Sequence, residues 1–204
     1  MYVRQPTYVI GPDNVRPSAR SRATRGTRGR STPKLSVLLA ILRNMATSDF
    51  DFLIGSWQVE HEKLLDPFGP ADGPRVRFRS EATVWPILDG LGTADETRGT
   101  LPDGSAFVGF SLRLYEPHSD EWQIWWASKA RPGVLDAPVR GSFAGEEGVF
   151  VGSAEYEGRE FLARFRWLDT AGPHPVWEQD FSLDGGRSWA PVNWRMVHTR
   201  TRTA

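Results

Sequence analysis

Ala106-Phe107-Val108-Gly109-Phe110-Ser111-Leu112-Arg113-Leu114-Tyr115, then Glu116-Pro117-His118-Ser119-Asp120, then Glu121-Trp122-Gln123-Ile124-Trp125-Trp126-Ala127-Ser128 is the stretch that decides the architecture. Two runs rich in apolar and aromatic residues flank five residues of turn chemistry, which is the mark of an antiparallel hairpin. In the first run Phe107, Gly109, Ser111, Arg113 and Tyr115 share one face and Val108, Phe110, Leu112 and Leu114 the other. The sequence leaves open which face turns inward. Trp122, Ile124 and Trp126 alternate with Gln123, Trp125 and Ala127, so at least one tryptophan is expected outside.

The same grammar repeats outward from this hairpin. Pro102-Asp103-Gly104, Gly145-Glu146-Glu147-Gly148, Glu157-Gly158 and Asp184-Gly185-Gly186 each separate strand-like runs. The predicted strands are 56–64, 75–85, 92–98, 106–115, 121–128, 139–143, 149–156, 160–168, 176–183 and 193–201. No long helical pattern interrupts them, which excludes βαβ architectures. The fold class is all-β: about eight to ten antiparallel strands, whose exposed edges disappear when they close into an up-and-down barrel. A sandwich is the alternative.

An apolar fraction of 39 % and an aromatic fraction of 12 % over 204 residues suffice for a core, so disorder throughout is excluded. The absence of cysteine removes disulfides, thiolate metal sites and thiol nucleophiles together. His, Asp and Glu form no dense ligand cluster, and no metal is expected. The formal net charge of zero hides two segments. Residues 1–44 carry nine Lys and Arg against the single acid Asp13, a balance of +8, and the remainder is acidic to the same extent.

The division expected is a disordered basic arm at 1–33, a short helix or linker at 34–48 and the barrel at 49–204. Residues 12–33 are Arg, Ser, Thr, Gly and Pro with almost no apolar side chain to offset ordering entropy. Residues 35–42 are mostly apolar but far short of the roughly 20 that span a bilayer. No membrane span is expected. A basic region before a short apolar run admits an export signal, and the abrupt charge change at Met45 admits a start assigned too early; the second reading, with a cytoplasmic protein, is preferred. Nucleic acid is not an expected partner, because the arm lacks interleaved aromatics and the acidic domain repels phosphate.

Gly55-Ser56-Trp57, behind Phe50-Asp51-Phe52-Leu53-Ile54, is similar to the Gly-x-Trp with which lipocalins and other calycins close the barrel base. In that group the indole stacks on an Arg of the last strand, a place Arg200 fills. With Leu88-Asp89-Gly90-Leu91-Gly92, Ser111-Leu112-Arg113-Leu114-Tyr115-Glu116-Pro117, Trp177-Glu178-Gln179-Asp180-Phe181-Ser182 and Asn193-Trp194-Arg195-Met196, the chain resembles an uncharacterised bacterial family of lipocalin-like domains from Phe50 to Arg202. The resemblance implies a calycin-type barrel and no agreed activity. Ser182-Leu183-Asp184-Gly185-Gly186-Arg187-Ser188-Trp189 also fits the sialidase Asp-box pattern. A single copy reads as a structural turn, with Asp184, Gly186 and Trp189 its fixed points.

Alternation from Trp57 places Val59 and His61 inside, and alternation from Arg200 places His198, Met196 and Trp194 inside. If Trp57 and Arg200 face each other, His61 and His198 become diagonal neighbours about 7–8 Å apart at their backbones. The ligand-binding candidates are His61, Glu96, Arg113, Trp126, Gln179, Trp194, Met196 and His198, with Glu96 the expected partner of Arg113 or Gln179. Nine tryptophans suggest flat apolar ligands. The leading function is therefore binding of a small hydrophobic or aromatic molecule. The alternatives are an isomerase- or cyclase-type enzyme with His61 or His198 as acid or base, a haem-binding barrel ligated through His198, and a filled barrel that binds partners; a homodimer is also open. Cofactors are otherwise not expected.

Overall fold

The computed structural model describes residues 48–201, so the expectations for the basic arm and for the helix or linker at 34–48 fall almost wholly outside the described residues. Ten strands follow a 3₁₀ turn at Asp51–Leu53, and a second such turn, Leu88–Gly90, joins the second strand to the third: β1 (Gly55–Leu64), β2 (Arg75–Ile87), β3 (Gly92–Thr100), β4 (Ala106–Glu116), β5 (Glu121–Ser128), β6 (Val139–Ala144), β7 (Glu147–Tyr156), β8 (Arg159–Leu168), β9 (Val176–Ser182) and β10 (Trp194–Arg200). Each pairs antiparallel with its neighbour in sequence, and β1 closes on β10. The protein is a closed up-and-down barrel, all-β as the alternating pattern requires. Among the described residues no helix is long and apolar enough to cross a membrane.

Odd-numbered strands run toward what we call the upper end and even-numbered strands return. The lower end is closed by the segment that enters β1. Phe50, fully buried, meets Trp122 and Phe143 edge-on at 4.9 and 5.0 Å. The indole of Trp57 donates to the Leu53 carbonyl at 2.6 Å, while Arg200 covers the ring face at 4.2 Å and donates to the Ile54 and Phe52 carbonyls. Gly55 has φ +127°, and a Cβ there would sit 2.7 Å from Arg200 Nη1. Only glycine combines that conformation with that approach. At the upper end Phe68, from the loop after β1, packs on Phe161 and Phe181 at 5.2 and 5.3 Å.

Two walls depart from a simple apolar-in pattern. In β4 it is Phe107, Gly109, Ser111, Arg113 and Tyr115 that are buried, so the wholly apolar row Val108, Phe110, Leu112 and Leu114 faces outward. It runs beside Trp125 of β5, and on β2 Trp85 is 41 % exposed. Register is set by the hairpin turns at both ends of the strand, and a one-residue slip would reverse every side chain. In the second wall β5 pairs with β6 over only three residues, Trp122–Ile124 against Val139–Gly141. Beyond them the 129–138 loop takes over, with Asp136 N–H donating to the Trp126 carbonyl at 2.8 Å.

The Asp184 turn is a hairpin end. Ser182 Oγ and Ser188 Oγ donate to its carboxylate at 2.7 and 2.6 Å, Gly185 and Gly186 adopt positive φ, and Trp189 lies against the Arg164 guanidinium at 4.0 Å. These bonds hold the Asp184 carboxyl down at about 2. The turn sits on the surface.

Candidate functional site

Between the two apolar plugs the lumen contains a cavity of about 100 Å³. Val59, Val84, Ile124, Trp177 and Met196 form much of its wall, and Lys63, Arg113, Gln179 and His198 reach it with polar atoms. Trp126 lies flat against the backbone of β4 because position 109 has no side chain: a Cβ on Gly109 would come within 2.0 Å of the indole. The void is smaller than the roughly 300–1,000 Å³ typical of drug-sized ligand sites. A molecule that filled it would be correspondingly small.

The seam pairs Trp57 with Arg200, Val59 with His198 and His61 with Met196, which makes the two histidines diagonal neighbours inside the barrel. Their chemistry differs. The Trp194 indole can only donate, and it donates to His61 Nδ1 at 3.3 Å, so the ring proton sits on Nε2 and is given to Ser80 Oγ at 2.7 Å. Ser80 in turn lies 2.9 Å from Thr97 Oγ1, and Thr97 lines the cavity. His61 also stacks on Phe78 at 4.2 Å. Burial, aided by the charges of His198 and Lys63, pushes it down to about 3. With both nitrogens engaged and no access to the cavity, His61 is a neutral link in a polar chain, not the ligand-facing group expected from the sequence.

His198 does reach the cavity. Its Nδ1–H donates to the Pro175 carbonyl at 3.2 Å, which leaves Nε2 as an acceptor. Burial lowers it to about 4 against the pull of that carbonyl. It is a neutral base. Gln179, which lines the lumen, donates through Nε2 to Asn193 Oδ1 at 2.8 Å, so its amide oxygen is left as an acceptor.

Glu96 does not line the lumen. On β3 the inward parity belongs to Thr93, Asp95 and Thr97, and Glu96 turns outward to receive Arg98 Nε. Asp95 takes the role assigned to it: its Oδ1 accepts Arg113 Nη1 at 2.5 Å, both side chains less than a tenth exposed. That pairing is single-pronged. Among the described residues Arg113 Nε is buried without a hydrogen-bond partner, as is the hydroxyl of Thr93 directly across the ladder. A second pair, Arg131 with Asp136, lies inside the 129–138 loop and also lines the cavity. Burial raises Asp136 against that pairing.

Alternation on β1 does not end at His61. Two residues on, Lys63 is 7 % exposed, lines the cavity and lies over the Trp194 ring at 4.1 Å. Among the described residues no carboxylate pairs with it. Burial alone lowers it to about 7. The step of two that placed Val59 and His61 reaches it directly, so the signal was in the sequence; Asp95 had none, because nothing in β3 fixes its parity. Trp126, Trp194 and Met196 line the cavity. No group of three or more potential metal ligands occurs among the described residues.

No family model and no curated protein matches the chain. Among solved structures it is similar to a redesigned β-barrel, with 12 % identity, a TM-score of 0.37, and 74 % of this chain and 94 % of that one covered. It is also similar to EF1p2_mFAP2b bound to DFHBI, with 14 % identity, a TM-score of 0.38, and 76 % and 99 % covered. Neither likeness adds to the fold, which the strand pairing itself gives.

Proposed function

We propose that the barrel binds a small, largely apolar molecule carrying one polar end, held in the lumen between Trp126, Trp177 and Trp194. The observation that carries this reading is a buried cavity whose polar atoms are not used up by the described residues: among these, Arg113 Nε has no hydrogen-bond partner, and Lys63 meets only an indole face. Buried polar groups are normally satisfied, and those left over in a cavity mark where a ligand's polar atoms belong. With Arg113 held by Asp95 and Arg131 by Asp136, the amine of Lys63 is the polar group left over in the lumen, which favours a ligand with a polar end. The Gly55, Trp57 and Arg200 seal supports reading the chain as a lipocalin-like domain of the calycin type, for which ligand binding is the common role.

Haem does not fit. A macrocycle with four pyrrole rings exceeds a cavity of about 100 Å³, and Trp57 and Trp167 flank His198 at ring distances of 6.0 and 5.0 Å. The free Nε2 of His198 favours one second reading, in which it abstracts a proton from the bound molecule. His61 has no comparable role.

Native mass spectrometry of protein from its own host, with one- and two-ring molecules titrated against tryptophan fluorescence, tests the binding. Ala163→Leu, which fills the lumen from the β8 wall, should abolish binding while the melting temperature is retained. Co-purification of nothing, together with unchanged fluorescence across the panel, overturns it.

A further inference from the structure

The chain has three lysines, Lys34, Lys63 and Lys129, and Lys129 is exposed on the surface. Burying a lysine costs several kcal/mol unless the charge is paired or lost. Structural lysines in barrels are therefore placed at rims or opposite carboxylates. Lys63 is neither. It points into the lumen beside Trp194 and His61, and both carboxylates that line the cavity are already held by arginines, Asp95 by Arg113 and Asp136 by Arg131. An amine in that position is most stable without its proton, and a neutral amine in a dry pocket is a nucleophile.

We propose that Lys63 is a covalent capture site for small apolar aldehydes and ketones, which it holds as a reversible imine inside the barrel. This deepens, and rests on, the reading of the lumen as a ligand site. The Nζ lone pair forms a bond to the carbonyl carbon as the C=O π pair moves to oxygen. A proton passes from nitrogen to that oxygen, giving a carbinolamine. The C–O bond then breaks, the oxygen leaves as water with the second nitrogen proton, and C=N remains. Carbonyl compound and amine give imine and one water, with no change of oxidation state. Burial of the amine in the lumen limits the access of bulk water to the C=N bond, and Trp126 and Trp177 line the space for the rest of the ligand.

Basic pH favours the step from the amine side. His61 lies beside Lys63 on its own strand, and the titratable groups that share the cavity lining with it are Asp95 and Arg113 from β3 and β4, Arg131 and Asp136 from the β5–β6 loop, and His198 from β10. His61 and His198, both held low by burial, stay neutral above about pH 5. Lys63 itself, brought to about 7, supplies free amine at a pH where surface lysines supply almost none.

The full chain is incubated at pH 7 with butanal or benzaldehyde and sodium cyanoborohydride, which reduces any imine to a stable amine, and is then mapped by peptide mass spectrometry. Lys63 should be alkylated at least about tenfold faster than Lys129, and the adduct should disappear in Lys63→Met but persist in Lys129→Met. Butanol and benzyl alcohol, which lack the carbonyl, are titrated in parallel by NMR. If the alcohols shift lumen resonances and Lys63 stays unlabelled, capture is overturned while ligand binding stands. If the alcohols do not bind and Lys63 stays unlabelled, both readings fall. Labelling confined to Lys34, Lys129 and the terminal amine also overturns the inference.

Discussion

The two halves of the barrel interior are built from the same residue types to opposite ends. Around the seam, Trp57, Arg200 and Gly55 engage one another and the carbonyls of Phe52, Leu53 and Ile54, so the polar groups of the seal are bonded within the protein. Along the cavity wall, among the described residues, Lys63 has no anion, Arg113 uses one nitrogen, and Gln179 and His198 each keep an acceptor free. A closed network rigidifies, whereas an incomplete one costs stability unless something completes it. The first half holds the barrel together and the second holds it ready.

Mutation can break this contrast. Trp57→Ala removes the centre of the seal and should cost about 3–5 kcal/mol in urea unfolding; a loss under about 1 kcal/mol would mean the lower end is not what closes the barrel. Asp95→Ala leaves Arg113 buried and unpaired and should cost about 3 kcal/mol, most of it recovered in the double variant Asp95→Ala/Arg113→Met. Equal costs in the single and double variants would show that the pair is not coupled.

Two smaller effects sharpen the contrast through pH. His61 and His198 are held neutral in the fold, at about 3 and 4, below the unfolded value near 6.5. The unfolded chain therefore binds more protons between these limits, and stability present above pH 6.5 is lost as pH falls toward 4 and then 3. His61→Gln should flatten the lower part of that curve in thermal melts. For Lys63 the folded value near 7 lies below the unfolded value near 10.5, so the native state is penalised below pH 7 and relieved as pH rises to 10.5. Lys63→Met should thus stabilise by about 1–2 kcal/mol at pH 6, with the gain fading toward pH 10. A pH-independent gain would indicate better packing alone.

The sequence made the strands legible because turn residues punctuate it so regularly, and the seam legible because Gly-x-Trp and Arg200 specify each other sterically. Parity was the weaker part. In β4 an apolar row and a mixed row alternate, and hydrophobicity favours placing the apolar row inside; the register of the flanking hairpins decides otherwise, bringing Ser111 and Arg113 into the lumen. The same ambiguity hid Asp95 behind Glu96. His61 was placed correctly on its face, yet its engagement with Trp194 and Ser80 depends on three strands meeting, which no single strand reports.

Gly109 carries a consequence for how such barrels diversify. Because the Trp126 ring rests where a side chain at 109 would be, one methyl group at that position would lever the indole inward, across the space the ligand is proposed to fill. Residue 109 thus acts as a gauge of lumen size that can be read from sequence alone. Gly109→Ala is thus expected to shrink the chamber without touching any of its polar groups.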